Sequence, residues 1–279
     1  MRAAQRIFAV AVLAYASSSG SLAMWMRGAL GLSGALIIVH GLRSVSSARV
    51  GTALHAALAG VLGLGVLLYT SAIANHHFVM FYAALGFALS WGTDEERVGK
   101  RLATTSSRLL AALMVVTVLQ KLASPVYIEG SFFAYLIDTG SLGGPMVQFC
   151  EPCLARAEAN IDAIVTFVAE PPRAHATLEL LPVWTTDRGF STAFGRALAL
   201  LVLLYELWLA CVFALAPRHR AGAASLLVFV VGLAVFREEW VFGALLCALG
   251  FTACPPDSRR IRASLSVACV AFAVLAVVS

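Results

Sequence analysis

Apolar residues run along this chain in long stretches broken by short polar turns, and the stretches have the length of membrane helices. A helix that crosses a bilayer needs about 20 mostly apolar residues. Nine stretches near that length predict nine spans, at 6–26, 28–44, 51–73, 77–92, 105–123, 192–214, 221–236, 240–255 and 262–278. Ser17-Ser18-Ser19-Gly20-Ser21 interrupts the first, and the second, fourth, seventh, eighth and ninth are short. Small residues suit helix–helix contact within a bundle, so the interruption is compatible with spanning. The expected fold is an all-α polytopic bundle of about nine transmembrane helices, one domain over residues 1–279, with one long loop at 124–191 between spans five and six.

Composition sharpens the class. Sixty per cent of the 279 residues are hydrophobic, 13% are charged, and the mean hydropathy is +0.87. A soluble globule carries about 25% charged residues and has no means of hiding this much apolar surface. The sequence therefore excludes a soluble enzyme, a disordered chain and a disulfide-rich secreted mini-protein. Arg2 and Arg6 precede the first apolar run as in a signal sequence, but no small-residue cleavage site ends it. The run is read as a membrane helix.

The distribution of cations predicts orientation. With the N-terminus in the cytoplasm and nine alternating spans, 13 of the 20 Lys and Arg residues fall inside, concentrated in short loops. That is the positive-inside pattern. It places the C-terminus and the long loop outside, in a bacterial-type inner (plasma) membrane. From 127 to 191 the loop holds eight acids against three arginines. Within it, Leu154, Ile161, Ile164, Val165 and Val168 recur at helical spacing, which predicts an amphipathic helix over 154–170, ended by Pro171-Pro172.

Ionisable groups at membrane depth are costly, so each is a candidate for function. Asn75-His76-His77 opens the fourth span, Lys121 lies near the end of the fifth, and Arg237-Glu238-Glu239-Trp240 links the seventh and eighth. The predicted topology brings all three groups to the outer face. Each also has a plainer reading: a lysine that snorkels to the interface, a histidine pair that caps a helix or meets headgroups, and an ordinary wet turn. Glu206 sits in mid-span, where a structural hydrogen-bonding partner is expected. His40 and His55 are read as structural. A lysine held in apolar surroundings loses stability in its charged form, and the free amine then serves as a base. A nearby imidazole would stabilise the oxyanion. Such a pair suits a lipophilic acid, a phenol or quinol, arriving from the membrane.

These residues resemble a known family. Lys121-Leu122 followed by Tyr127-Ile128-Glu129-Gly130-Ser131 is similar to the lysine segment of the vitamin K-dependent gamma-carboxylases and of the related bacterial horizontally transferred transmembrane domain (HTTM) proteins. Asn75-His76 before an aromatic-rich helix resembles the family's Asn-His segment, and Tyr205-Glu206-Leu207-Trp208 its late acid-bearing helix. The resemblance extends over most of residues 5–255. It implies that Lys121 is the base toward a quinol and His76 the oxyanion partner; His77 has no counterpart. Asn75, His77, Arg237, Glu238 and Trp240 are the expected lining. The chain ends at Ser279 directly after a span. The carboxylases' large extracytoplasmic domain is therefore not expected, and the implied activity is quinol deprotonation rather than glutamate carboxylation.

Cys150-Glu151-Pro152-Cys153 adds a C-x-x-C on the outer side, a spacing open to a structural disulfide or a redox couple. No further ligands are paired nearby, so no metal is predicted. The other four cysteines, at 211, 247, 254 and 269, lie in or beside apolar runs and are read as small hydrophobes. Two alternatives to the lysine-base enzyme follow. One is a quinone-linked thiol–disulfide oxidoreductase using Cys150 and Cys153. The other is non-enzymatic, a transporter or a peptide-immunity or partner subunit. The expected cofactor is a quinol or quinone. Expected partners are membrane lipids, a lipophilic small molecule and a peptide or protein at the outer face, with no nucleic acid.

Overall fold

The computed structural model describes residues 2–18, 22–42, 48–69, 75–90, 95–139, 155, 157–159, 161–162, 188–237 and 239–278. For residues 48, 69, 75, 76, 95, 138, 188–192 and 235–237 it describes the backbone alone. The helices are α1 (Arg2–Ser18), α2 (Met24–Leu42), α3 (Ala48–Tyr69), α4 (Asn75–Leu89), α5 (Glu95–Leu122), α6 (Pro125–Ile128), α7 (Ser131–Asp138), α8 (Arg188–Leu215), α9 (Arg220–Arg237), α10 (Trp240–Ala253) and α11 (Arg259–Val278). No strand occurs among the described residues.

Among the described residues, five helices are long and apolar enough to cross a membrane: Met24–Leu42, Arg49–Leu68, Glu96–Leu122, Ala193–Leu215 and Arg259–Val278. His77–Leu89, Arg220–Ala234 and Trp240–Ala253 are apolar but shorter. Their outward faces fit a lipid solvent. On α8, Leu200, Leu201, Leu204 and Leu207 are exposed while Glu206, Leu209 and Phe213 are buried. A helix that turns leucines out and a carboxylate in has the polarity of a membrane helix, the reverse of a water-soluble one. The protein is an α-helical protein of membrane type.

The chain divides into two compact units. The first comprises Met1–Val115, Trp208–Ala234 and Glu239–Ser279; the second, Val116–Leu207 and Val235–Glu238. In the first unit α1 packs against α2, α10 and α11, and α4 packs against α3 and α10. Helix α10 buries every residue from Gly243 to Ala253, as expected of a helix that is apolar on all sides. Helix α1 buries Phe8, Ala9, Ala11, Val12 and Tyr15; its alanines let neighbouring helices approach closely.

Of the predicted first span of 6–26, α1 covers the part up to Ser18, while α2, which corresponds to the predicted second span of 28–44, already begins at Met24. The Ser17 and Ser18 hydroxyls donate to the Leu13 and Ala14 carbonyls at 2.9 and 2.8 Å. The Arg27 guanidinium donates to the Ala16 and Ser17 carbonyls, both at 3.0 Å. Serine back-bonding competes with helix continuation, and the arginine satisfies carbonyls that a helix end leaves open. Helix α1 is not among the five helices of spanning length and apolarity.

The second unit contains an arrangement the periodicity did not predict. The first residues of the long loop form α6 and α7. Pro125 occupies the first turn of α6, where its missing N–H costs nothing. Gly130, at φ 80°, ends that turn and starts α7. Tyr127, Phe133 and Leu136 then pack on Ala199 of α8, with Phe132, Leu198 and Val202 around them. Residues 155, 157–159, 161 and 162 are helical; the rest of the predicted amphipathic helix at 154–170 lies outside the described residues.

Candidate functional site

Lys121 stands in the last turn of α5, where the partial negative charge of the helix end favours a cation. Its ammonium donates to Glu206 Oε1 and forms an ion pair with it. The two side chains differ in access: Lys121 is 22% exposed and Glu206 4%. The Tyr127 ring lies under the amine, its centroid 5.4 Å from Nζ, within range of a cation–π attraction. Tyr127 in turn stacks on Phe132 and meets Phe133 edge-on, at centroid distances of 5.8 and 5.4 Å. The amine is therefore held between a sealed carboxylate and an aromatic wall.

Two glycines build this setting. A Cβ on Gly130 would stand 2.3 Å from the Arg196 backbone nitrogen, and one on Gly195 2.5 Å from the Gly130 carbonyl oxygen. The turn between α6 and α7 thus lies backbone to backbone against α8. The positive φ of Gly130 independently disfavours any side chain. This contact fixes Tyr127 on the same helix that carries Glu206.

Lys121 and Glu206 were each conspicuous in the sequence, but separately. Eighty-five residues part them, and neither periodicity nor motif relates them. One signal was available: two opposite charges in apolar helices are each too costly to leave unmatched.

The Asn-His-His segment opens α4. The side chains of Asn75 and His76 lie outside the described residues, so the expected His76–Lys121 pairing does too. His77 is fully buried. Its Nε2 donates to the Leu62 carbonyl at 2.8 Å, and its Nδ1 faces the Tyr15 hydroxyl at 2.9 Å. A carbonyl only accepts, so Nε2 carries the proton, and in the neutral ring Nδ1 accepts from Tyr15. Gly65 makes this possible, since a Cβ there would stand 2.7 Å from Nε2. With both nitrogens engaged, His77 links α1, α3 and α4.

Arg237 ends α9 in backbone only, and Glu238 lies outside the described residues. Trp240, at the start of α10, is half-buried and packs with Val241 on Ala14, Ala273 and Ala276, its ring 6.0 Å from that of Phe272. Its observed contacts are those of a packing residue. Cys150 and Cys153 lie outside the described residues. Cys211, Cys247, Cys254 and Cys269 are free thiols, all but Cys211 buried. Among the described residues no three His, Cys, Asp or Glu side chains gather as metal ligands would.

An apolar groove of about 560 Å³ runs between α3 and α4, lined by Ala56, Gly60, Gly63, Leu67, Phe81 and Leu85 among others; of the predicted site residues whose side chains are described, none borders it. Comparison of the chain with protein-family models, curated proteins and solved structures finds no match.

Proposed function

We propose that this chain is a carboxylase-like integral membrane enzyme in which Lys121 takes a proton from a lipophilic acid, a quinol being the substrate class. The proposal includes nine spans in a bacterial-type inner membrane, with the N-terminus cytoplasmic and the long loop outside. His76 assists at the oxyanion, and quinol oxidation or group transfer follows from the anion. The observation that carries this reading is the setting of Lys121: an amine at the end of an apolar helix, one-fifth exposed, matched by one carboxylate and floored by an aromatic ring. An acid that enters from lipid meets the amine before the carboxylate, and the ammonium that results is the natural counter-ion of its anion.

The same ion pair also supports a purely architectural role, in which it joins α5 to α8 and the protein is a partner subunit rather than an enzyme. Titration of the reconstituted protein with naphthohydroquinone separates the two. Wild type is expected to bind it, form the anion and speed oxygen uptake. Lys121→Gln is expected to lower anion formation by about a hundredfold, within the usual range for loss of a general base. If binding and uptake are the same in wild type and variant, the base assignment is wrong and the architectural role stands.

A further inference from the structure

Resting on that reading, we propose that Lys121 and Glu206 act as one proton-sharing dyad, in which the substrate's proton displaces a lysine proton that ends on the Glu206 carboxylate. A base that meets its substrate as an ammonium has no lone pair to offer. Elsewhere the missing proton is lost to bulk water beforehand. Here the ammonium head stands over the Tyr127 ring and donates its hydrogen bond to the Glu206 carboxylate oxygen. That oxygen is placed to take the proton.

The step balances within the site. An N–H bond of the Lys121 ammonium breaks and an O–H bond forms on Glu206, leaving a neutral amine beside a neutral carboxylic acid. In a medium of low dielectric the cost of separated charge makes this neutral pair accessible. The substrate O–H then breaks, its electron pair stays on oxygen, and the amine takes the proton. The products are a substrate anion, an ammonium and a protonated Glu206. Net charge in the site is zero before and after, and the anion replaces the carboxylate as the partner of the ammonium. When the anion is consumed or reprotonated, Glu206 returns the proton.

The exposure gradient supports the direction of transfer. Glu206, at 4%, is sealed behind Lys121, at 22%, so the substrate reaches the amine and the carboxylate acts through it. Glu206 is thus a positioning and proton-accepting residue, while Lys121 is the member of the dyad that touches the substrate.

The test is infrared difference spectroscopy on the full chain in lipid nanodiscs, without oxygen, on adding naphthohydroquinone, with the anion followed by its visible absorbance. Wild type is expected to give the anion together with a new carboxylic-acid C=O stretch. Glu206→Gln is expected to abolish that stretch and cut anion formation at least about tenfold, as loss of a relay partner would, and Glu206→Asp to restore part of both. Anion formed by wild type without the acid band overturns the dyad and leaves Lys121 as a lone base; this arm needs no variant to fold. Full anion yield from Glu206→Gln overturns it equally. No anion from wild type overturns the proposed function and the dyad together.

Discussion

The chain has two lysines, Lys100 and Lys121, and both lie on α5. Each is paired with a glutamate. Lys100 meets Glu96 one turn away at 2.6 Å, with side chains 59% and 77% exposed. Lys121 meets Glu206 from another helix, with exposures of 22% and 4%. About 30 Å of helical rise separates the two lysines, close to the hydrocarbon thickness of a bilayer. The chemistry is the same and the surroundings are opposite. In water the pair is one of many interchangeable contacts, and side-chain entropy cancels much of its attraction. Out of water each charge is tolerated only because the other is present. An ion pair therefore marks a candidate site when its burial makes it obligatory, and Lys121–Glu206 meets that condition.

The largest expected effect follows directly. Lys121→Met leaves a nearly sealed carboxylate without its cation and should cost about 3–5 kcal/mol, as for other broken buried pairs. Glu206→Leu should cost less, because the lysine it strands keeps some access to water. The double variant Lys121→Met/Glu206→Leu should recover most of the loss, since an apolar pair of similar volume is often neutral or stabilising. Unfolding in mixed detergent micelles checks all three. Equal, additive losses would mean the two side chains are independent and the contrast with Lys100 is false.

Next is the contact that holds the dry pair in place. Gly130→Ala forces a methyl to within 2.3 Å of the Arg196 nitrogen at a φ of 80°. The left-handed backbone costs about 1–2 kcal/mol and the overpacking about 1–3 more. The loss should exceed about 2 kcal/mol and should also reduce any activity of Lys121, as Tyr127 shifts. A tolerated alanine at 130, read by the same unfolding assay, would show that α6 and α7 do not fix the site.

The two units also differ in how much of them the sequence revealed. Long apolar runs made α5, α8 and α11 legible, because a bilayer-length stretch has few alternatives. The break after Ser18 was visible as a serine run, yet hydropathy alone did not show that hydroxyl back-bonding and Arg27 would end the helix there. Helices α6 and α7 were hidden in a predicted loop, although Ser124-Pro125 and Gly130 are the start and stop signals of short helices. The Lys121–Glu206 pairing was the least legible feature, since it depends on tertiary packing. The cost of two unmatched charges favours a pair, but which turn of α5 meets which turn of α8 is set by packing. His77 shows the converse: a motif gave His76 the chemistry, while the neighbouring ring turns out to be a buried link.

That link is the neutral counterpart of the ion pair and should be worth less. His77→Phe keeps the volume but removes one hydrogen bond at the Tyr15 hydroxyl and one at the Leu62 carbonyl. About 2 kcal/mol is expected, from about 1 kcal/mol for each hydrogen bond lost. Tyr15→Phe removes one bond and should cost about 1 kcal/mol. Adding Tyr15→Phe to His77→Phe should then cost little more, because the hydrogen bond the two side chains share is already gone. A His77→Phe loss as large as that of Lys121→Met would show that burial of a polar centre, rather than its charge, sets the scale.

The smallest effect belongs to the wet pair. Glu96 precedes Lys100 by four residues in the first turns of α5, the favourable order for an ion pair on a helix, and its acid also sits near the positive end of the helix dipole. Even so, the two exposed side chains gain only about 0.3–0.5 kcal/mol from each other. Lys100→Gln should therefore shift unfolding by less than about 0.5 kcal/mol, and about 1 M salt should erase the shift, since screening then acts within about 3 Å. The same salt should leave the Lys121→Met loss almost intact, because a charge out of contact with water is poorly screened. A Lys100→Gln loss that rivals that of Lys121→Met, or a Lys121→Met loss that disappears in salt, would place both lysines in water and remove the basis for treating Lys121 as the reactive one.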